Sequence, residues 1–236
     1  MKKIITLLLL PVFFIACNNE SKDTGSNSSS DSGKVKKPEE KMDKSVPEGG
    51  RYGIKSAKVV TVTALPRNMG NTTVTMYFDN YGTQSFTETV SNITMKGMPK
   101  TSQPKQYNIT EGEYIYSWTE GSKSGTKMKF AINNDLKNMD FEKLGMEMSE
   151  RLKIKKTGNE TFLGKSCDVY EMDNAQLGKG KILIWKNITM LSDMTTMSMN
   201  VKSEVTELEE NPSIESSKFK VASDIDFKEL QIPVKL

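Results

Sequence analysis

The chain is 236 residues long with 33 Lys+Arg against 30 Asp+Glu, a formal net charge of +3, and no histidine. The missing imidazole excludes Ser-His-Asp and Cys-His nucleophilic catalysis, histidine general-base chemistry and nearly all zinc sites. Lys and Glu are interspersed rather than gathered on one stretch, so the clustered basic face that nucleic acid requires is not expected.

The chain opens Met1-Lys2-Lys3 and then runs apolar from Ile4 to Ala16, broken only by Thr6 and Pro11. Two lysines before an apolar run of this length form the n- and h-regions of an export signal. A membrane-spanning helix needs about 20 apolar residues, so the segment is too short to stay as an anchor. It ends in Phe14-Ile15-Ala16-Cys17, which resembles a lipobox, with phenylalanine in place of the usual leucine. That resemblance implies cleavage of residues 1–16 as a lipoprotein signal peptide and acylation of Cys17 with palmitate-type chains. Several acyl chains hold a protein stably at a membrane where one does not. Loss of the two signal lysines brings the formal charge of +3 down to about +1.

Residues 17–50 read as the lipidated cysteine and a polar tether. Beyond Cys17, the segment carries only Val35, Met42 and Val46 as aliphatic or thioether side chains. So little apolar surface cannot offset the entropy of ordering, and about 33 coil residues reach roughly 30 Å. Residues 51–236 are of a length for one β-rich domain.

Period-two alternation dominates from Arg51 onward, the pattern of half-buried strands. Strands are expected over Tyr52–Ala64, Thr72–Phe78 and Thr83–Met95, with Asp79-Asn80-Tyr81-Gly82 as a hairpin turn. Gly112–Glu120, carrying Tyr114, Tyr116 and Trp118, and Gly125–Asn133 follow as another hairpin pair. From 135 to 152 the period changes: Met139, Phe141, Leu144, Met148 and Leu152 recur at helical spacing, predicting an amphipathic helix. Strands resume over Lys165–Met172, Gly180–Lys186 and Met190–Val205. The expected fold is α+β, mostly antiparallel β, a curved open half-barrel sheet packed against one amphipathic helix.

No catalytic constellation, metal site or cofactor-binding loop is expected. A glycosidase-like carboxylate pair would survive the lack of histidine, but no pair stands out. The 15 methionines include Met190, Met194, Met197 and Met199. Thioethers suit Cu(I), yet in an extended strand the first two and the last two fall on opposite faces, which favours apolar filling. With Cys17 spent on lipid, Cys167 has no intrachain partner and reads as a small buried hydrophobe. A curved sheet lined by Met76, Phe78, Met128 and Phe130, with Leu144 and Met148 from the helix above, could enclose an apolar ligand or simply a filled core.

The stretch Gly158-Asn-Glu-Thr-Phe-Leu-Gly-Lys-Ser-Cys-Asp-Val-Tyr-Glu-Met172, followed by Gly178-Lys-Gly-Lys-Ile-Leu-Ile-Trp-Lys-Asn-Ile188, resembles the uncharacterised domain family DUF4412 of Bacteroidetes lipoproteins. Tyr77-Phe-Asp-Asn-Tyr-Gly82 is similar to a second landmark of that family. In outline the domain is also similar to LolA/LppX-like lipoprotein carriers. The likeness to these carriers is one of architecture and does not settle function. Together with the missing catalytic residues and the apolar sheet face, the leading expectation is a non-enzymatic lipoprotein of the cell envelope, with the outer membrane favoured, whose domain can bind a lipid or other apolar ligand. The alternative is a structural or partner-binding envelope module, and copper binding ranks third.

Overall fold

The structure, a computed structural model, describes residues 46–47, 50–94, 101–129, 153–174, 178–196 and 199–230. The export signal, Cys17, the tether up to residue 45, the helix expected over 135–152, and with them Phe130, Leu144 and Met148, lie outside the described residues.

The regular elements among the described residues are strands apart from three short helical turns, so the α part of the expected fold has no counterpart among them. In chain order the strands are β1 (Ala57–Ala64), β2 (Gly70–Asp79), β3 (Gln84–Ile93), β4 (Thr101–Ser102), β5 (Gln106–Glu111), β6 (Tyr114–Thr119), β7 (Ser124–Lys129), β8 (Ile154–Phe162), β9 (Lys165–Asn174), β10 (Gly178–Trp185), β11 (Ile188–Thr196), β12 (Met199–Glu210) and β13 (Asp226–Leu230). They make one open sheet ordered β13-β7-β6-β5-β3-β2-β1-β12-β11-β10-β9-β8, with β4 beside β3. The parallel β13–β7 pair at one end is the exception to an antiparallel ladder.

The β-branched run Val59-Val-Thr-Val-Thr63 suits a strand paired on both edges, and β1 lies between β2 and β12. The expected turn after β2 forms: the Asp79 carboxylate accepts from the Asn80 amide at 2.6 Å, and Gly82 takes φ +87°. Gly164, at φ +71°, turns β8 into β9. The stretch expected as one strand over Met190–Val205 is instead two antiparallel strands, β11 and β12, with Thr196 opposite Met199.

Register shows that the sheet curls. β9 stands four places from β1, about 19 Å away in a flat sheet at ordinary strand spacing. Yet Cys167 and Val169 of β9 share one buried cluster with Ala57 and Val59 of β1 and Phe78 of β2. The Lys165 ammonium likewise bonds Glu210 at the end of β12. Irregular register beside Thr61 in β1 and Ile184 in β10 accompanies the bend. Leu183, Ile188, Met190 and Val205 complete this core, at most 3% exposed.

Candidate functional site

Pairing register assigns the two faces of the β1–β7 half. One row runs Ala57, Phe78, Ser85, Thr110, Ile115, Met128, each opposite the next. The sequence-predicted Phe78 and Met128 therefore share a face and a row, but three strands separate theirs. Phe78 is 0% exposed inside the cluster, with Met76 packed against it. Between Phe78 and Met128 the row is polar at Ser85 and Thr110, the latter buried. The structure thus brings Met76 and Phe78 together and leaves Met128 with Ile115.

The methionines do not converge. Met190 is fully buried, Met194 lies over the bare Cα of Gly180, and Met199 is 41% exposed. Met197 lies outside the described residues. Among the described residues no group of three His, Cys, Asp or Glu side chains could hold a metal.

The opposite face carries what the sequence reading had only in part. There Tyr77 pairs with Phe86, Phe86 with Ile109 and Ile109 with Tyr116. One step along, Tyr107 pairs with Trp118, and Trp118 with Gly125. Ring centroids step across the strands at 6.4 Å (Tyr77–Phe86), 6.0 Å (Phe86–Tyr107) and 5.4 Å (Tyr107–Trp118). Phe227 of β13 closes the series edge-on, 5.2 Å from Tyr116 and 6.0 Å from Trp118. Such edge-to-face and offset pairs add stabilisation beyond the buried area.

The C-terminal segment frames this row. After β12 the chain returns across β3 and β5, where its turn Ser216–Phe219 packs and Phe219 is buried. It then joins the edge as β13. Gly125 permits that seat, because a Cβ there would stand 2.6 Å from Phe227 Cε1. Lys123 accepts the Asp226 amide at its carbonyl, 2.9 Å, and pairs with Asp224 at 2.6 Å.

Between the β6–β7 turn and this segment lies an open depression of about 250 Å³, lined by Tyr107, Trp118, Glu120, Lys123, Asp224 and Ile225 among others. Its electrostatics are mixed. Burial pushes the Tyr107 phenol up, and the Glu120 and Glu88 carboxylates add to the shift. The hydrogen bond from Lys123 holds the exposed Asp224 carboxyl below its ordinary value. The alternation Tyr114-Ile-Tyr-Ser-Trp118 was the readable signal for this face. Tyr107 and Phe227 sit in segments whose polar composition concealed them.

At the other end of the strands the chain enters the domain. The Arg51 and Tyr52 amides donate to the Tyr81 carbonyl at 2.7 and 3.1 Å, and the Tyr81 amide donates to Lys55 O at 2.8 Å. Gly53 N donates to Lys186 O at 2.9 Å, tying the same segment to the β10–β11 turn. Trp185 beside that turn holds the ammonium groups of Lys165 and Lys186 at 5.1 and 4.9 Å from its ring centroid.

No family model matches the chain, so the likeness to DUF4412 stands on the residues quoted for it alone. No curated protein matches either. Solved structures similar to it include an uncharacterized conserved protein from Thermus thermophilus, at 4% identity over 75% of this chain and 91% of that one, TM-score 0.46. The Pseudomonas aeruginosa MucA/MucB complex is similar at 9% identity and TM-score 0.43, over 72% of this chain and 56% of the other. The chain therefore spans little more than half the length of that relative. A putative outer membrane lipoprotein-sorting protein domain from Vibrio parahaemolyticus is similar at 10% identity over 72% and 91%, TM-score 0.29. With every score below 0.5, the strand order and register described above define the architecture.

Proposed function

We propose that this chain is an exported, lipid-anchored lipoprotein of the cell envelope, at the outer membrane, and that its sheet domain is a non-enzymatic binding module. The observation that carries this reading is the point of entry. Arg51 and Tyr52 are tied to Tyr81 at one end of the strands, whereas the aromatic depression opens at the β6–β7 turn, the opposite end. A tether running from Cys17 would join the domain at the first end, and a coil of about 33 residues reaching roughly 30 Å would leave the depression at the other end accessible above the bilayer.

The geometry favours a surface that meets a partner or small ligand over an enclosed lipid chamber. Phe78 is consumed by close packing against Tyr52 and the β1 core, which leaves no room there for an acyl chain. An apolar ligand draws support from one feature, the half-buried Ile115 and Met128 on the core face of β6 and β7.

Metabolic labelling with a palmitate analogue tests the anchor. Wild-type chain should carry label and sediment with membranes, and Cys17→Ser should lose both. Label retained in Cys17→Ser contradicts the assignment. Native lipid co-purifying with the domain, or a fatty acid displacing a bound apolar dye, would restore the lipid-carrier reading over the surface module.

A further inference from the structure

We propose that the depression between the β6–β7 turn and the C-terminal segment binds an organic ammonium group. The inference stands apart from the lipid anchor, since it uses only the folded domain.

Aromatic faces attract cations through the ring quadrupole, and the attraction strengthens where water is partly excluded. This sheet already applies the principle to its own side chains. Lys218 Nζ lies 4.2 Å from the Tyr77 centroid and 5.2 Å from that of Phe86. Lys127 Nζ lies 5.5 Å from the Tyr114 centroid. Tyr107 and Trp118 belong to the same face, and among the described residues no ammonium lies over either ring. They are the two aromatic residues that line the depression.

A carboxylate stands beside them. Glu120 also lines the depression, and its contact is a 3.4 Å bond from the Lys105 backbone amide. The neighbouring ammonium groups are engaged elsewhere, Lys105 with Glu88 at 3.3 Å and Lys123 with Asp224 at 2.6 Å. Two aromatic rings and a carboxylate hydrogen-bonded to a backbone amide, but in no ion pair within 4 Å among the described residues, match an alkylammonium ion, which offers apolar methyls or methylenes to the rings and charge to Glu120. A neutral apolar molecule would leave the carboxylate facing it without recompense. An anion would meet Glu120 head on.

Two sources carry this chemistry, a soluble alkylammonium compound and a zwitterionic lipid headgroup.

Saturation-transfer NMR on the full chain, with choline as probe and the neutral isostere 3,3-dimethylbutan-1-ol as control, tests the proposal. Choline should give a saturable signal and the isostere none. Trp118→Leu should abolish the signal, and Glu120→Gln should weaken it by up to about five-fold, as expected for a solvent-exposed ion pair. Equal response to the isostere, no saturable response to choline, or unchanged affinity in both variants overturns it. If Trp118→Leu fails to fold, the isostere comparison and Glu120→Gln still decide. Sedimentation with phosphatidylcholine vesicles of Cys17→Ser chain, reversed by free choline, would assign the headgroup source, and choline binding without vesicle binding the soluble one.

Discussion

Tyr52 occupies the space that a side chain on Gly82 would need. Its ring centroid lies 4.3 Å from that of Phe78, the two planes tilted by 31°, and a Cβ on Gly82 would stand 2.6 Å from its Cδ2. The hydroxyl meanwhile donates to Met76 Sδ at 3.5 Å. The segment that enters the domain is thereby locked to the β2–β3 turn by a tyrosine, a glycine and two backbone bonds to Tyr81.

This contact makes the two turn glycines unequal. Gly82 combines φ +87° with the overlap on Tyr52, whereas Gly112 has φ +58° and nothing within 4 Å. Gly82→Ala should lose about 2–3 kcal/mol, the sum of backbone strain and overpacking. Gly112→Ala should lose about 1 kcal/mol, the cost of a left-handed alanine. Urea unfolding midpoints read the difference directly. Equal losses would mean that Tyr52 yields to the added methyl.

The packed state of Phe78 leads to a second expectation. Truncation of a fully buried aromatic typically costs about 3–5 kcal/mol through lost transfer energy and the cavity left behind. Phe78→Ala should fall in that range. Leu163, 49% exposed in the β8–β9 turn, should tolerate alanine within about 0.5 kcal/mol. A Phe78→Ala protein close to wild type in stability would indicate a loosely filled interior at that point, and would reopen the ligand-chamber reading of Met76 and Phe78.

How far the residues announced this structure depends on where each strand lies. β2 and β9 alternate because one side of each meets the core, so Val74-Met76-Phe78 and Cys167-Val169 were legible. β8, at the end of the sheet, is exposed along most of its length, and Lys155-Lys156-Thr157-Gly158 needs no apolar period to pair with β9. β5 was missed for a related reason. Its sequence Gln-Tyr-Asn-Ile-Thr-Glu reads as polar, yet Ile109 and Thr110 are buried on opposite faces, because the C-terminal turn covers one of them. The aromatic site was legible in β6 and invisible in β13, which reaches the row from about a hundred residues away along the chain by parallel pairing with β7. Nothing local in Asp226-Phe-Lys-Glu-Leu230 announces that partner.

The seat of β13 yields a third test. Gly125 leaves Phe227 room to lie on β7 between Tyr116 and Trp118, with Ser117 O only 2.7 Å from where a Cβ would stand. Gly125→Ala should push the Phe227 ring off the row and free the strand, a loss of about 1–3 kcal/mol. Amide exchange should show it locally, with protection lost at Phe227 and Lys228 and kept in β1 and β2. Full protection of β13 in the variant would show that the backbone pairing, not the ring, holds the edge.

The last expectation concerns Cys167, which is 0% exposed and donates weakly to the Lys165 carbonyl at 3.5 Å. Burial raises its pKa above the ordinary 9.0, with Asp168 and Glu160 adding to the rise and the Phe162 backbone bond opposing it. In the unfolded chain the thiol loses its proton near 9.0, whereas the folded chain holds that proton to higher pH. Above 9.0 the unfolded state therefore binds fewer protons, and stability falls as pH rises, at most about 1.4 kcal/mol per unit for one proton. Below that value the contribution is intact. Tyr52, raised from 10.0 mainly by burial, adds a second decline of the same sign that begins about one unit higher. Urea midpoints between about pH 8 and 11 should thus drop in two stages, Cys167→Ala removing the first and Tyr52→Phe reducing the second, to which the raised Tyr107 phenol also contributes. The wild-type thiol should also resist alkylation until denaturant is added. Rapid labelling at about pH 8 without denaturant, or an alkaline decline unchanged in Cys167→Ala, would place Cys167 at an accessible surface instead of beneath the curl that joins β9 to β1.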